Sequence, residues 1–256
     1  MDTAGIREKA QRFYGYGTWA SSHWFVGPEE GGDHATERVA AWRRLGSKDL
    51  CDCREFHQLL GEKLPEYLKL HRTSPAPAPP LQFTWRKLML LFKASRDEPY
   101  DNESLRKYQL KRWGHWDGET CVIELSGIPS PDSTRAEALA NTLFNRDEFQ
   151  SLRRDRLSFI VRKLDENCDR PSVFVIYGKA QWEHWEGHLN VASRQQMFAG
   201  VEARIAKRGQ TTIVLAQHPN RERGDSYWIE LGNWLRENGD QRRGRWHLTA
   251  LRSLIR

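Results

Sequence analysis

The sequence predicts an α/β protein, a three-layer α/β/α sandwich around a short, mostly parallel sheet of four strands. Two observations lead to this fold class. Four short apolar runs each end in turn-forming residues, which is typical of strands buried on both faces. Helical patterns lie between these runs, and strands that alternate with helices favour a layered fold with right-handed crossovers.

The predicted strands are short and apolar, and all but the second are rich in β-branched or aromatic residues. They cover residues 23–27 (HWFVG), 119–127 (ETCVIELSG), 172–178 (SVFVIYG) and 211–217 (TTIVLAQ). The carboxyl ends of parallel strands share one edge of a sheet, and ligands of open α/β sheets bind there. The residues that follow each strand are therefore the first candidates for a functional site.

Five segments show helical patterns. In the first, Ala35, Val39 and Trp42 form one stripe, and Gly46 follows as a stop signal. The predicted helices cover residues 33–46, 83–95, 148–164, 191–209 and 226–238.

A single domain is expected over residues 1–256. Four prolines, at positions 75, 77, 79 and 80, predict an extended internal loop at about residues 73–82. We interpret this segment as a loop rather than a linker, because neither side of it has enough predicted strands to close a sheet.

Composition narrows the class of protein. No apolar run approaches the roughly 20 residues of a membrane helix, and the first residues lack a secretory pattern, so a cytoplasmic protein without a membrane partner is expected. The four cysteines, at positions 51, 53, 121 and 168, do not form paired Cys-x-x-Cys motifs. Reduced thiols without a metal or other cofactor are the prediction.

Positive charge concentrates in the last sixth of the chain. The net charge is +6, and residues 216–256 hold eight arginines, no lysine and five acidic residues. Arginine binds phosphate oxygens in pairs, so this excess is compatible with a phosphate-bearing partner. A solvated helical face is the alternative for any one of these arginines.

Two of the segments that follow predicted strands contain side chains suited to catalysis. GPEEGGD at positions 27–33 brings Glu29 and Glu30 among glycines that permit close approach of the backbone, and Asp33 is placed to cap the next helix. HPNRERGD at positions 218–225 brings His218. A carboxylate and an imidazole at one sheet edge suit acid–base or electrostatic catalysis.

This pattern resembles the uracil-DNA glycosylase superfamily, as a divergent branch. Members have a glycine-initiated turn after the first strand (Gly-Gln-Asp-Pro-Tyr, Gly-Ile-Asn-Pro-Gly or Gly-Glu-Ala-Pro-Gly) and His-Pro-Ser after the last. The matching segments here are GPEEG at positions 27–31 and HPN at positions 218–220, and VIYGKAQ looks like the third strand with its glycine. The resemblance implies an α/β/α sandwich that removes damaged bases from DNA.

Residue by residue, the resemblance assigns catalysis to Glu29, for water or the sugar cation, and to His218, for the leaving base. It assigns DNA contacts to Arg221 and Arg223, in the loop that enters DNA. It implies a substrate-binding set made of Gly27, Pro28, Glu30, Gly31, Ser126 and Asn220. Stacking on the extruded base is open to four aromatic candidates, with core packing as the alternative for each: Trp19, Trp24, Trp182 and Trp185.

The chain departs from the family at three of these positions. Glu29 stands where members have aspartate, asparagine or alanine, Glu30 replaces the motif proline, and Ser126 lies near where relatives have a base-reading asparagine. The cysteines do not match the arrangement of the iron–sulfur branch, so the resemblance carries over no cluster. The preferred base is therefore open.

Three functions follow as hypotheses. The first is a monomeric DNA glycosylase acting on uracil or another damaged base. The second is an inactive module of the same fold that binds nucleic acid or a nucleotide. The third is a metal-dependent hydrolase that uses Glu29 or Glu30 with His218 or with the pair His184 and His188 of HWEGH.

Overall fold

A computed structural model describes residues 2–71, 79–130, 133–167, 171–222 and 224–239. Within these ranges the side chains of residues 29–31, 130, 133, 134, 136 and 137 are not described. The described helices are α1 Thr3–Arg12, α2 Ala35–Arg44, α3 Cys53–Gly61, α4 Pro65–Leu70, α5 Phe83–Ser95, α6 Asn102–Lys111, α7 Ser133–Leu143, α8 Arg146–Glu166, α9 Trp182–Leu189 and α10 Asp225–Asn238. The described strands are β1 Gly15–Tyr16, β2 His23–Gly31, β3 Leu50–Cys51, β4 Thr120–Ser130, β5 Val173–Tyr177, β6 Arg194–Phe198, β7 Val201–Arg208 and β8 Thr211–Ala216.

The sheet is larger than the sequence predicts. Its eight described strands lie in the order β3-β1-β4-β2-β5-β8-β7-β6, so the prediction of a four-stranded sheet is wrong. The four predicted strands form its parallel centre, β4-β2-β5-β8. β1 pairs antiparallel with β4, and β7 pairs antiparallel with β8, which makes the whole sheet mixed.

The segment 191–209 is a β-hairpin, and the predicted helix there is wrong. β6 and β7 pair antiparallel, and Ala199 and Gly200 connect them with φ angles of 47° and 78°. Two consecutive residues with positive φ make the kind of turn that matches the twist of paired strands. Alanine, glutamate and arginine favour a helix by propensity, but pairing with the free edge of β8 decides the structure here.

Two apolar cores cover the two faces of the central strands, as alternation along β2 indicates. Phe25 packs with α3, α5 and α10, whereas Trp24 and Val26 pack with α8 and α9. The predicted helices at 33–46, 83–95, 148–164 and 226–238 correspond to α2, α5, α8 and α10. Gly46 ends the first of these with a φ of 81°, as its sequence position predicts.

A buried arginine joins α8 to the sheet. Arg156 is 1% exposed, and its guanidinium donates to the carbonyls of Ala10, Glu124 and Leu125 at 2.6–2.7 Å. A buried charge is tolerated only when hydrogen bonds replace its hydration. The α8 helix is therefore held to the sheet by the hydrogen bonds of Arg156 as well as by its apolar stripe.

Most of the predicted proline-rich loop lies outside the described residues, which exclude residues 72–78. Residues 79–82 belong to no helix or strand. Gln109, fully buried, donates to the carbonyls of Leu70 and Pro80 and so ties both flanks of the segment together. Among the described helices, none combines the length and the apolar character that crossing a membrane requires.

Candidate functional site

The carboxyl ends of the parallel strands bring the two candidate motifs to one edge of the sheet. β2 does not end at Gly27: it continues to Gly31, with a register shift between Glu29 and Gly31. Residues 27–31, predicted as a turn, therefore belong to the strand, and the turn begins at Gly32, whose φ is 102°. The Cα of Glu29 pairs with that of Ser126 on β4, but the side chains of residues 29–31 lie outside the described part.

The helix after this turn begins differently from the prediction. His34, with a φ of 69°, is the N-cap of α2 and makes no side-chain capping bond, so the prediction that Asp33 caps the helix is wrong. Instead, the carbonyl oxygen of Asp33 accepts a hydrogen bond from Nε of Arg38 at 3.0 Å. Arg38 also donates to the hydroxyl of Tyr67 at 2.9 Å, so a buried guanidinium supports the turn.

Tyr177, the last residue of β5, stands between the two motifs. A Cβ built on Gly27 would lie 2.5 Å from Cζ of Tyr177 and still closer to its hydroxyl oxygen. On its other side, the Tyr177 ring lies 5.6 Å from the ring of His218. Gly27 is therefore required for the close approach of Tyr177, a contact that the sequence does not reveal.

His218 lies in a tight turn after β8 that fixes its tautomer. Its Nδ1 accepts the backbone N–H of Asn220 at 3.1 Å, and its carbonyl oxygen accepts the N–H groups of Arg221 and Glu222. A backbone N–H can only donate, so Nδ1 is unprotonated and the neutral ring carries its proton on Nε2. His218 is thus a hydrogen-bond donor through Nε2.

The charge state of His218 follows from its surroundings. Partial burial lowers the pKa of the imidazole, and the positive charge of Arg221 lowers it further. Both causes disfavour the imidazolium form. At neutral pH the ring is therefore the neutral Nε2–H tautomer, which can stabilise a developing negative charge by donating a hydrogen bond.

The loop that carries His218 is anchored at both ends. At its start, the backbone N–H of Gln217 donates to the hydroxyl of Tyr227 at 3.1 Å. At its end, the carboxylate of Asp225 accepts two bonds from Arg86, at 2.6 and 2.7 Å, and one from Lys87 at 2.5 Å. These bonds tie the loop to α5 and α10.

The remaining predicted site residues that the structure describes lie near this edge. Ser126 is half-buried, and its Oγ accepts the backbone N–H of Ile128 at 3.4 Å. Pro28 is half-buried, Asn220 and Arg221 are exposed, and Asn220 Oδ1 is 3.5 Å from Oγ1 of Thr84. Arg223 lies outside the described residues.

The aromatic candidates for base stacking belong to the core. Trp24, Trp182 and Trp185 are at most 1% exposed, and Trp19 packs partly buried against the same cluster. In addition, Nε1 of Trp182 donates a hydrogen bond to the carbonyl of Ala216, the last residue of β8. Core packing, the alternative interpretation, therefore accounts for all four.

The described histidines and acids also show where a metal could bind. His184 and His188 share a face of α9, with ring centroids 4.5 Å apart, but Glu186 between them pairs with Arg204. Within the described ranges, three ligands that could hold one ion come together only at Cys53, His57 and His71, away from the HWEGH motif. This cluster is not among the sites predicted from the sequence.

Two comparisons with known proteins are negative. No model of a known protein family matches the chain, and no curated protein matches it significantly.

Proposed function

We propose that the chain is a DNA N-glycosylase of the uracil-DNA glycosylase type, which removes uracil or another damaged base. In this reaction water adds to C1′ of the deoxyribose, the N-glycosidic bond breaks, and its electron pair leaves with the base. The attacking water gives up a proton, and the departing base takes one up. The observation that carries the proposal is the neutral His218 ring with its proton on Nε2, held at the same sheet edge as the Glu29 backbone.

The two catalytic roles follow the charges that develop. Negative charge builds on the base, and the Nε2–H of His218 donates to the base carbonyl oxygen that receives it. Positive charge builds on the sugar, and the Glu29 carboxylate stabilises it and accepts the proton of the attacking water. Gly27, Pro28, Glu30, Gly31, Ser126 and Asn220 form the surrounding substrate-binding set.

The proposal extends to the fold and to the partner. The parallel centre β4-β2-β5-β8 corresponds to the short sheet of that family, and β1, β3, β6 and β7 are additions at its sides. DNA enters over the His218 loop, where Arg221, which is exposed, and Arg223 contact the phosphates. The protein acts as a monomer. The extruded base then reaches the edge occupied by Tyr177.

One observation favours a second candidate, the inactive binding module. The Tyr177 side chain is 5% exposed and fills the space beside Gly27, where an extruded base would approach. Glu29, one methylene longer than the family's aspartate, shifts the carboxylate by about 1.5 Å. A module of this kind would bind DNA through Arg221 and Arg223 without breaking the glycosidic bond.

A panel of DNA substrates separates the two candidates. Single- and double-stranded oligonucleotides carrying uracil, hypoxanthine or a mismatch are incubated with the protein, and abasic sites are scored. Abasic product that disappears in Glu29→Gln and His218→Ala, but persists in the exposed α9 controls Glu183→Gln and His184→Ala, supports the glycosylase. Salt-sensitive binding without abasic product supports the module, and activity that requires added divalent metal contradicts both.

A further inference from the structure

A buried cluster at α3 and the end of α4 joins three side chains of types that bind transition metals. Cys53 and His57 lie one turn apart on α3, and His71 follows the last residue of α4. Sγ of Cys53 is 3.8 Å from Nδ1 of His57, which is 2.9 Å from Nε2 of His71, and all three atoms lie within 4.8 Å of one another. Their exposed fractions are 1%, 3% and 7%.

These separations suit a tetrahedral ion. Zinc–sulfur bonds near 2.3 Å and zinc–nitrogen bonds near 2.0–2.1 Å place neighbouring ligand atoms about 3.3–3.6 Å apart. The two observed separations lie within about 0.5 Å of that range, and the third, between the Cys53 and His71 ligand atoms, is at most 4.8 Å, so shifts of up to about 1 Å admit the ion. Thiolate and imidazole are the ligands that zinc prefers in proteins.

The local sequence fixes the position of Cys53. The Asp52 carboxylate caps α3 by accepting the N–H groups of Arg54 and Glu55 at 2.9 and 3.1 Å. The backbone N–H of Cys53 donates to the carbonyl of Gly114 at 3.0 Å, and a Cβ on Gly114 would lie 3.1 Å from Cβ of Cys53. The thiol is therefore held in place before any metal binds.

The second helix is attached through partly buried residues such as Tyr67, which packs against the core. None of the six residues of α4 is buried, whereas His71, directly after the helix, is. A bond from a metal to His71 would join α4 to α3 across a site walled by aromatic rings. Trp85 stacks on His57 at 5.6 Å with an interplanar angle of 17°, and Tyr67 lies 5.5 Å away.

Polar atoms beside the proposed ligands are also unsatisfied. Nδ1 of His71 and Nε2 of His115 are buried and have no hydrogen-bond partner among the described residues, which is uncommon in folded proteins and is typical of sites that hold ordered water. The ion does not contact either atom.

We propose that Cys53, His57 and His71 bind one zinc ion through Sγ, Nδ1 and Nε2, with a water molecule in the fourth position. This departs from the sequence-based expectation of four thiols without a metal. The ion clips α4 to α3 and so holds Tyr67, whose hydroxyl accepts from Arg38 beneath the turn after β2. Its role is to support that edge of the sheet, independently of the proposed glycosylase chemistry.

Zinc binding is tested on the untagged full chain after dialysis against a chelator. Gel-filtered protein reloaded with zinc should contain one ion per chain by elemental analysis, and Cys53→Ala and His71→Ala should each retain less than a tenth of it. The matched controls are Cys121→Ala, which removes another fully buried thiol, and His184→Ala, and both should keep the full ion. Zinc at about a hundred times its dissociation constant should raise the wild-type Tm by about 5–10 °C.

Cobalt substitution keeps the test decisive if a variant fails to fold. Cobalt bound to wild-type protein should show the thiolate charge-transfer absorption and the visible bands of a tetrahedral site. Their absence would overturn the proposal and leave the His57–His71 contact as a hydrogen bond between imidazoles. Substoichiometric zinc, or equal zinc in wild type and Cys53→Ala, would overturn it as well.

Discussion

Replacing Gly27 by alanine tests the packing of the candidate site. A Cβ at this position would lie 2.5 Å from Cζ of Tyr177, well inside the 3.5–4.0 Å of a favourable carbon contact. The Tyr177 ring must retreat by about 1 Å to restore that distance. It is buried and faces the His218 ring 5.6 Å away, so the retreat disturbs both motifs.

The expected cost follows from overpacking. Forcing an extra methyl group into a close-packed site costs about 1–3 kcal/mol. For a chain of this size, that cost lowers Tm by about 2–12 °C, which thermal unfolding followed by circular dichroism measures directly. The double variant Gly27→Ala with Tyr177→Leu should be more stable than the sum of the single effects predicts, by about 1 kcal/mol or more.

A matched control separates this effect from a general glycine effect. Gly187 lies within α9, and a Cβ there meets no atom within 4 Å. Gly187→Ala should therefore raise stability by about 0.8–1 kcal/mol, because alanine favours a helix. A Gly27→Ala variant that melts within about 1 °C of wild type, or that is additive with Tyr177→Leu, would contradict the close contact between residue 27 and the Tyr177 ring.

Three further predictions concern the scaffold. Arg156→Met leaves three buried carbonyls without their charged donor and should lower the free energy of unfolding, measured by urea denaturation, by about 3 kcal/mol or more. A loss below about 1 kcal/mol would show that these hydrogen bonds contribute little to stability. Hydrogen bonds from Arg86, with those from Lys87, lower the pKa of Asp225 to about 2, so its contribution is complete above the ordinary value of 3.8 and is lost as pH falls toward 2. The Tm difference between wild type and Asp225→Asn should therefore shrink between pH 4 and pH 2, and a constant difference would contradict the pairing. Gly200→Val places a β-branched residue at a φ of 78° and should lower Tm by a few degrees at a cost of about 1–2 kcal/mol, whereas an unchanged Tm would argue against the hairpin turn.

Sequence periodicity predicts the centre of this fold and fails at its sides. The strands β2, β4, β5 and β8 are apolar on both faces because helices cover both, and this leaves a continuous apolar signal. β1 and β3 are two residues each, too short for any pattern. At β6 and β7, helix-favouring residues lie in a hairpin because a strand edge is available, and local propensity does not report that edge.

The candidate site is predictable in its motifs but not in its contacts. The position of His218 shortly after β8 follows from the turn signals, whereas Gly27 lies within β2 because that strand continues to Gly31. The closeness of Tyr177 to both depends on the strand order, which places β5 between β2 and β8. The cluster of Cys53, His57 and His71 has a weak local signal, a cysteine and a histidine four residues apart on a helix, and its third member comes from another helix.

The most direct test of the proposed glycosylase activity is the single-turnover rate of abasic-site formation by wild type, Glu29→Gln and His218→Ala on uracil-containing DNA and on the other damaged-base substrates. Abasic product is expected from at least one substrate, with a loss of about a hundredfold or more in each variant. Wild-type protein that binds DNA but forms no abasic product from any substrate would contradict it. A rate left unchanged by His218→Ala would contradict it equally.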